Sequence, residues 1–143
     1  MTVAQILREK GRDVLTAQPH RTMREVAVLL AERGVGAVVV SDASMAVLGI
    51  LSERDIVRAL GRRGAAILDE PISKYMTAKV FTVAEETTVD EVMETMTAGR
   101  FRHAPVVAKG RLVGIVSIGD VVKRHVDALA HESEALKTYI ATA

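Results

Sequence analysis

The chain has 143 residues and a mass of 15.4 kDa, which is room for one compact unit or two small halves sharing a core, and too little for a multidomain enzyme. Nineteen Lys and Arg against eighteen Asp and Glu leave a net charge of +1, so no global field recruits nucleic acid or a membrane and any anion site must be local. The absence of Cys excludes zinc ribbons, thiol catalysis and a disulfide framework, and it fits a reducing compartment, so the cytoplasm is the expected location.

Apolar residues make up 49% of the chain, yet only Phe81, Phe101, Tyr75 and Tyr139 are aromatic, so the core must be aliphatic. At the amino terminus Arg8, Glu9 and Lys10 stand where a signal peptide carries its apolar stretch. The longest apolar run, near Val35 to Val40, falls far short of the roughly 18 residues a membrane span needs. Neither an export signal nor a span is expected.

In chain order, a short strand is predicted around Val14-Leu15-Thr16. Thr22 followed by Glu25 matches a capping box and opens a helix to about Gly34, with Met23, Val26, Leu29 and Leu30 on one face. A β-branched strand, Ala37 to Ser41, then a polar turn and a strand, Val47 to Leu51, form a hairpin, and a helix runs from Glu53 to about Arg62. Glycine and proline between Gly61 and Pro71 mark a connection. The order then repeats: a lead strand at Val80-Phe81-Thr82, a Thr88–Glu91 capping box with Val89, Val92, Met93 and Met96 to about Gly99, strands Pro105 to Ala108 and Leu112 to Ser117, and a helix from Ile118. Val121, Val122, His125, Leu129 and Leu136 carry that last helix as far as Tyr139.

The repetition is explicit in the residues. Gly49 to Arg58 returns as Gly114 to Lys123, 65 positions later, Val39-Val40 answers to Val106-Val107, and the offset elsewhere drifts between 65 and 67. The reading is an α/β (α+β) fold of two β-α-β-β-α copies, residues 10–66 and 74–128, with a helical extension over 129–143.

The chemistry-bearing residues are Ser52 with Asp55 and Ser117 with Asp120. Each pair sits where a strand hands over to a helix, a junction that aims backbone donors and a positive dipole end outward, and a carboxylate there can accept both hydroxyls of a ribose. The glycine before each strand end would let a ring approach the backbone. The plain alternative is that Ser-x-x-Asp does no more than cap a helix.

The two copies resemble tandem CBS motifs, and the chain resembles a stand-alone CBS pair, or Bateman module. The resemblance rests on Gly49 to Asp55 and Gly114 to Asp120, on Ala104-Pro105-Val106-Val107 and on Met76-Thr77. It implies two repeats about a pseudo-twofold axis, with AMP, ADP, ATP or NAD held between them, S-adenosylmethionine being a further adenosine ligand. Ser52, Asp55, Ser117 and Asp120 would hold ribose, and Thr16, Ala37, Val38, Val80, Thr82, Ala104 and Pro105 would contact adenine. Phosphate would fall to Arg100, Arg102 and His103 in the second copy and to Arg54 in the first, whose aligned stretch reads Arg33, Val35 and Gly36. His103 on its own is as compatible with packing, and the stripe Arg54, Arg58, Arg62 with a solvated face.

No Walker loop, dinucleotide fingerprint or His-Glu-x-x-His is present, and the histidines show no metal-ligand spacing. The expected role is therefore regulatory and not catalytic, with no catalytic cofactor or metal, in a homodimer built on Ile56, Leu60, Val121 and Val122 that regulates a target protein. A ligand-free scaffold docking through the last helix is the alternative. Nucleic-acid binding through the arginine stripe comes third, since four aromatics provide no stacking ladder.

Overall fold

The computed structural model describes residues 1–142, so Ala143 of the expected extension lies outside the described residues. Helix α1 (Val3–Lys10) leads into β1 (Thr16–Ala17), α2 (Met23–Arg33), β2 (Ala37–Ser41), β3 (Val47–Ser52) and α3 (Glu53–Arg63). Two short 3-10 helices, Ala65–Asp69 and Ile72–Lys74, join this half to α4 (Val89–Gly99), β4 (His103–Ala108), β5 (Arg111–Ser117) and α5 (Ile118–Thr142).

The strand and helix boundaries follow the residue chemistry. Thr22 Oγ1 accepts from the Glu25 amide at 3.1 Å and Thr88 Oγ1 from the Glu91 amide at 3.2 Å, so both predicted caps start helices. The sheets are small: β1 pairs in parallel with β2, β2 antiparallel with β3, and β4 antiparallel with β5. The second lead strand is absent. What remains is one parallel bridge between Val83 and Val106, three residues past Val80, because the chain over residues 79–82 is irregular. The first lead strand is likewise shifted, to Thr16–Ala17.

Strand register corrects the alignment of the copies. Ala37 pairs with Ser52 as His103 pairs with Ser117, and Val40 pairs with Gly49 as Val106 pairs with Gly114. Val39-Val40 therefore answers to Pro105-Val106, Gly36 to Arg102 and Ala37 to His103.

Each half is completed by the segment that precedes the other. Val3, Ile6 and Leu7 of α1 are buried with Val89, Val92, Ala104 and Val116 of the second half, whereas Ile67 and Ile72 of the connection are buried with Met23, Val26 and Leu51 of the first. Backbone bonds follow the same exchange: the Val3 amide donates to Thr87 O, and the Ile72 amide donates to Arg21 O at 2.8 Å. The amphipathic spacing of Val3, Ile6 and Leu7 was the signal for α1, which the sequence reading did not use.

This exchange also gives the signature glycines a different role. A Cβ on Gly49 would fall 2.8 Å from the backbone oxygen of Thr77, and one on Gly114 would fall 2.8 Å from Leu7. The space expected for a ligand ring is filled by the chain itself. Gly49→Ala should accordingly destabilise the fold by about 1–3 kcal/mol, through overpacking against backbone, read as a lower denaturation midpoint. Gly114→Ala, opposed only by a leucine side chain, should lose less.

Candidate functional site

Both strand-to-helix junctions form reciprocal caps. The Ser52 amide donates to Asp55 Oδ2 at 2.9 Å while the Asp55 amide donates to Ser52 Oγ at 3.3 Å. The Ser117 amide donates to Asp120 Oδ2 at 2.8 Å while the Asp120 amide donates to Ser117 Oγ at 3.2 Å. Capping is therefore a role these residues do fill, and it also fixes each carboxylate at the start of its helix.

Two clefts meet where the strands β2 and β4 begin. The first, about 380 Å³, is lined by Ser52, Glu53, Asp55, Ile50 and Phe101 together with Arg54, Arg58, Arg100, Arg102 and His103, and by Ser117, Ile118 and Gly119 at the start of α5. The second, about 340 Å³, is lined by Lys10, Asp13, Val14, Leu15, Val35, Ala37 and Ile115, and it shares Gly36, His103 and Ser117 with the first. The shared wall is close-packed: a Cβ on Gly36 would lie 3.7 Å from His103 Cε1.

The distribution of cations differs from the expectation. Arg100, Arg102 and His103 come from the second half but face the Ser52–Asp55 signature of the first, on the wall that also holds Arg54. Within each half the signature helix is tied to the start of the hairpin, the Ile118 amide donating to Arg102 O at 2.8 Å and the Glu53 amide to Gly36 O at 2.9 Å. Arg58 lines the same cleft, so part of the expected solvated stripe is a wall residue. Among the described residues Arg54, Arg58, Arg100 and Arg102 form no salt bridge, as is also true of Arg8, Arg33, Arg62 and Arg111, whereas Arg12, Arg21, Arg24, Arg63 and Arg124 all do. The amino-terminal residues of α3 and α5 line the same cleft, which therefore gathers four arginines against the two carboxylates of Glu53 and Asp55.

The second signature is engaged internally. Lys10 Nζ donates to Asp120 Oδ2 at 2.6 Å and to Ile115 O at 3.0 Å, and Asp120 lines neither cleft. Burial raises the Asp120 pKa, but the bonds from Lys10 and Ser117 outweigh it and hold the carboxyl below its ordinary value. That contribution to stability is present above about pH 4 and is lost as pH falls through the lowered value. Asp55 has no such basic partner among the described residues. Sequence reasoning missed Lys10 because its contact spans 110 positions.

The residues expected around adenine are dispersed. Ala37 lines the second cleft, but Val38 and Ala104 are fully buried in the two cores and Pro105 is buried, its carbonyl accepting from Val83. Thr16 faces a separate surface depression with Gln18 and Asp42. Val80 is half-buried and Thr82 exposed, both on the irregular segment away from either cleft.

His103 is driven toward its neutral form by burial and then by Lys10, with Glu53 and Asp120 opposing and Arg102 assisting. As pH falls below about 6.5 the unfolded chain takes up a proton that the folded one resists, so stability declines. A bound phosphate reverses the bias and raises the imidazole pKa. Affinity for a phosphate-bearing ligand should therefore rise as pH is lowered from about 8 to 6, and His103→Ala should flatten the profile in calorimetry.

Arg100 ends α4 with φ +55°, where the equivalent cap of α2 is Gly34 at φ +63°. An arginine held in this left-handed conformation costs about 1 kcal/mol relative to glycine. Arg100→Gly should stabilise the fold by about that amount and weaken anion binding, measured by denaturation and calorimetry on the same sample.

No described helix is long and apolar enough to cross a membrane. A family model of the CBS domain matches residues 3–62 and 72–127. The chain is similar to the CBS-domain containing protein ATU1752 from Agrobacterium tumefaciens, with 49% identity and a TM-score of 0.84 over 87% of this chain and 99% of that one. It is similar to the CBS domain protein PAE2072 from Pyrobaculum aerophilum, solved in complex with AMP, at 32% identity and a TM-score of 0.75 over 84% and 89%. The CBS domain pair of MJ0100, solved with 5-methylthioadenosine and S-adenosyl-L-methionine, gives 26% identity and a TM-score of 0.80 over 90% and 98%. With both halves matched by the family model, the chain belongs to the CBS domain family as a tandem pair.

Proposed function

We propose that the protein is a non-catalytic regulatory module that binds one phosphate-bearing adenosine ligand, AMP, ADP, ATP or NAD, in the cleft beside Ser52 and Asp55. The observation that carries this is the convergence of Arg54, Arg58, Arg100 and Arg102, none of them in a salt bridge among the described residues, on the cleft that also holds a fixed carboxylate. An anion is the ligand that relieves such a cluster, and Asp55 accepts the ribose hydroxyls while the base lies against Ile50 and Phe101. A sulfonium such as that of S-adenosylmethionine is disfavoured by the same arginines.

Asp120, clamped by Lys10, is not free to accept a ribose at the second cleft. One nucleotide per chain follows. The module works as a homodimer through Leu60 and Val122, exposed with Val57 on the signature helices α3 and α5, whereas Ile56 and Val121, expected on the same surface, are buried in the cores of their own halves; it passes its ligand state to a target protein. The units that respond are the repeats at 10–66 and 74–128. A second reading, a ligand-free scaffold, is favoured only by the apolar surface of α5.

A thermal-shift panel separates the two readings. A ligand at 100 times its Kd stabilises by about 2.7 kcal/mol, so AMP, ADP, ATP or NAD should raise the melting temperature while adenosine and S-adenosylmethionine raise it less. A panel with no shift favours the scaffold. Asp55→Asn keeps an acceptor for the cap and should weaken binding about tenfold, or ~1.5 kcal/mol. Calorimetry should count one nucleotide per native chain and two after Lys10→Ala.

A further inference from the structure

The apolar residues exposed on α5 obey a stricter rule than amphipathicity. Val122, Val126, Leu129, Leu136 and Ile140 are between 44% and 66% exposed. With Ser133 included they succeed one another at spacings of four, three, four, three and four residues. That is the seam of a coiled coil, with 122, 129 and 136 at d positions and 126, 133 and 140 at a positions.

The identities on the seam select an arrangement. β-branched Val126 and Ile140 at a with leucines 129 and 136 at d favour two parallel strands. Glu132 falls at a g position and Lys137 at the following e, the two places that meet between parallel helices in register. Two copies would therefore form two symmetric pairs, each between Glu132 and Lys137 of the partner subunit. Antiparallel pairing would instead oppose Glu132 to Glu132 of the partner subunit and Lys123 to Lys137 of the partner subunit, like charges in both places.

Nothing in the described chain covers this seam. From Val126 to Thr142 every residue of α5 is exposed, while Val121 and the packing on α4 fix only its beginning. The family match ends at residue 127, so most of the seam lies beyond the shared fold. Standing alone, this helix leaves its apolar stripe in water, and an equivalent helix alongside removes that stripe from solvent.

We infer that residues 122–140 join two copies of this chain as a parallel two-stranded coiled coil. The inference is independent of nucleotide binding and deepens the homodimer reading by naming the segment that makes the contact.

The test is sedimentation of the full chain at micromolar concentration, native and with Leu129→Asp plus Leu136→Asp, which lie outside both cores. A native dimer that weakens about a hundredfold or more in the double variant, and less with Leu60→Asp, supports the inference. In a chain free of cysteine, Leu136→Cys should also give a disulfide-linked dimer under mild oxidation, because parallel pairing sets the introduced thiol against its own copy. A native monomer overturns both this and the homodimer reading. A dimer that tolerates the double variant but is lost with Leu60→Asp overturns this inference and leaves the homodimer standing. A seam-dependent dimer whose thiols do not cross-link overturns the parallel arrangement.

Discussion

The fold depends on a crosswise exchange of leading segments. Neither half closes its own core: α1 precedes the first half and seals the second, Leu7 lying against Gly114, and the connection before α4 seals the first, Met76 lying against Gly49. Truncating the fully buried Leu7 would cost about 2–5 kcal/mol, and the half-buried Met76 less, so the halves are tied by core packing and not by a flexible linker. The clefts between them are consequences of that tie. So is the reach of Lys10, at the end of α1, to Asp120 at the start of α5.

Duplication supplied two equal carboxylates, and a few unequal neighbours made them different. Gly34, Gly36 and Ala37 of the first half stand where the second has Arg100, Arg102 and His103. Those cations line the same cleft as Ser52 and Asp55, so the cation-rich copy contributes to a cleft that holds the signature of the cation-poor one. The attraction of those arginines for an anionic ligand is screened by salt, so binding in the first cleft would weaken with ionic strength, whereas the bonded Lys10–Asp120 contact is short-ranged and less sensitive. The left-handed Arg100 shows a local cost retained at a cleft wall.

Much of the fold was legible because local chemistry decides it. The strand at Ala37–Ser41 and the helix start at Glu53 are written in a β-branched run and a Ser-x-x-Asp cap, and the structure keeps both bounds. The second lead strand was not, because whether residues 80–82 pair depends on a neighbour 23 positions away, and only Val83 meets Val106. The register of the copies was misread by one residue, since Val-Val in one hairpin matches Pro-Val and Val-Val equally well in sequence and only the ladder distinguishes them. At the site, Ser52, Asp55, Arg54, Arg100, Arg102 and His103 were all named from sequence and share one cleft. Their grouping across halves was invisible, as was Lys10, because both arise from packing between distant segments. Glycine before each signature was read as room for a ligand, when the chain's own Thr77 and Leu7 occupy that room.

The central claim is that a cleft built by both halves, armed with arginines from both and a carboxylate from the first, takes the phosphate end of an adenosine ligand while Lys10 withholds the second signature. A structure of the protein grown with AMP at saturating concentration tests it most directly. The account predicts one AMP per chain, with phosphate among Arg54, Arg100 and Arg102, ribose on Asp55, and the Lys10–Asp120 contact intact. AMP bound on Asp120 with Lys10 displaced, or a first cleft left empty at saturation, would contradict it.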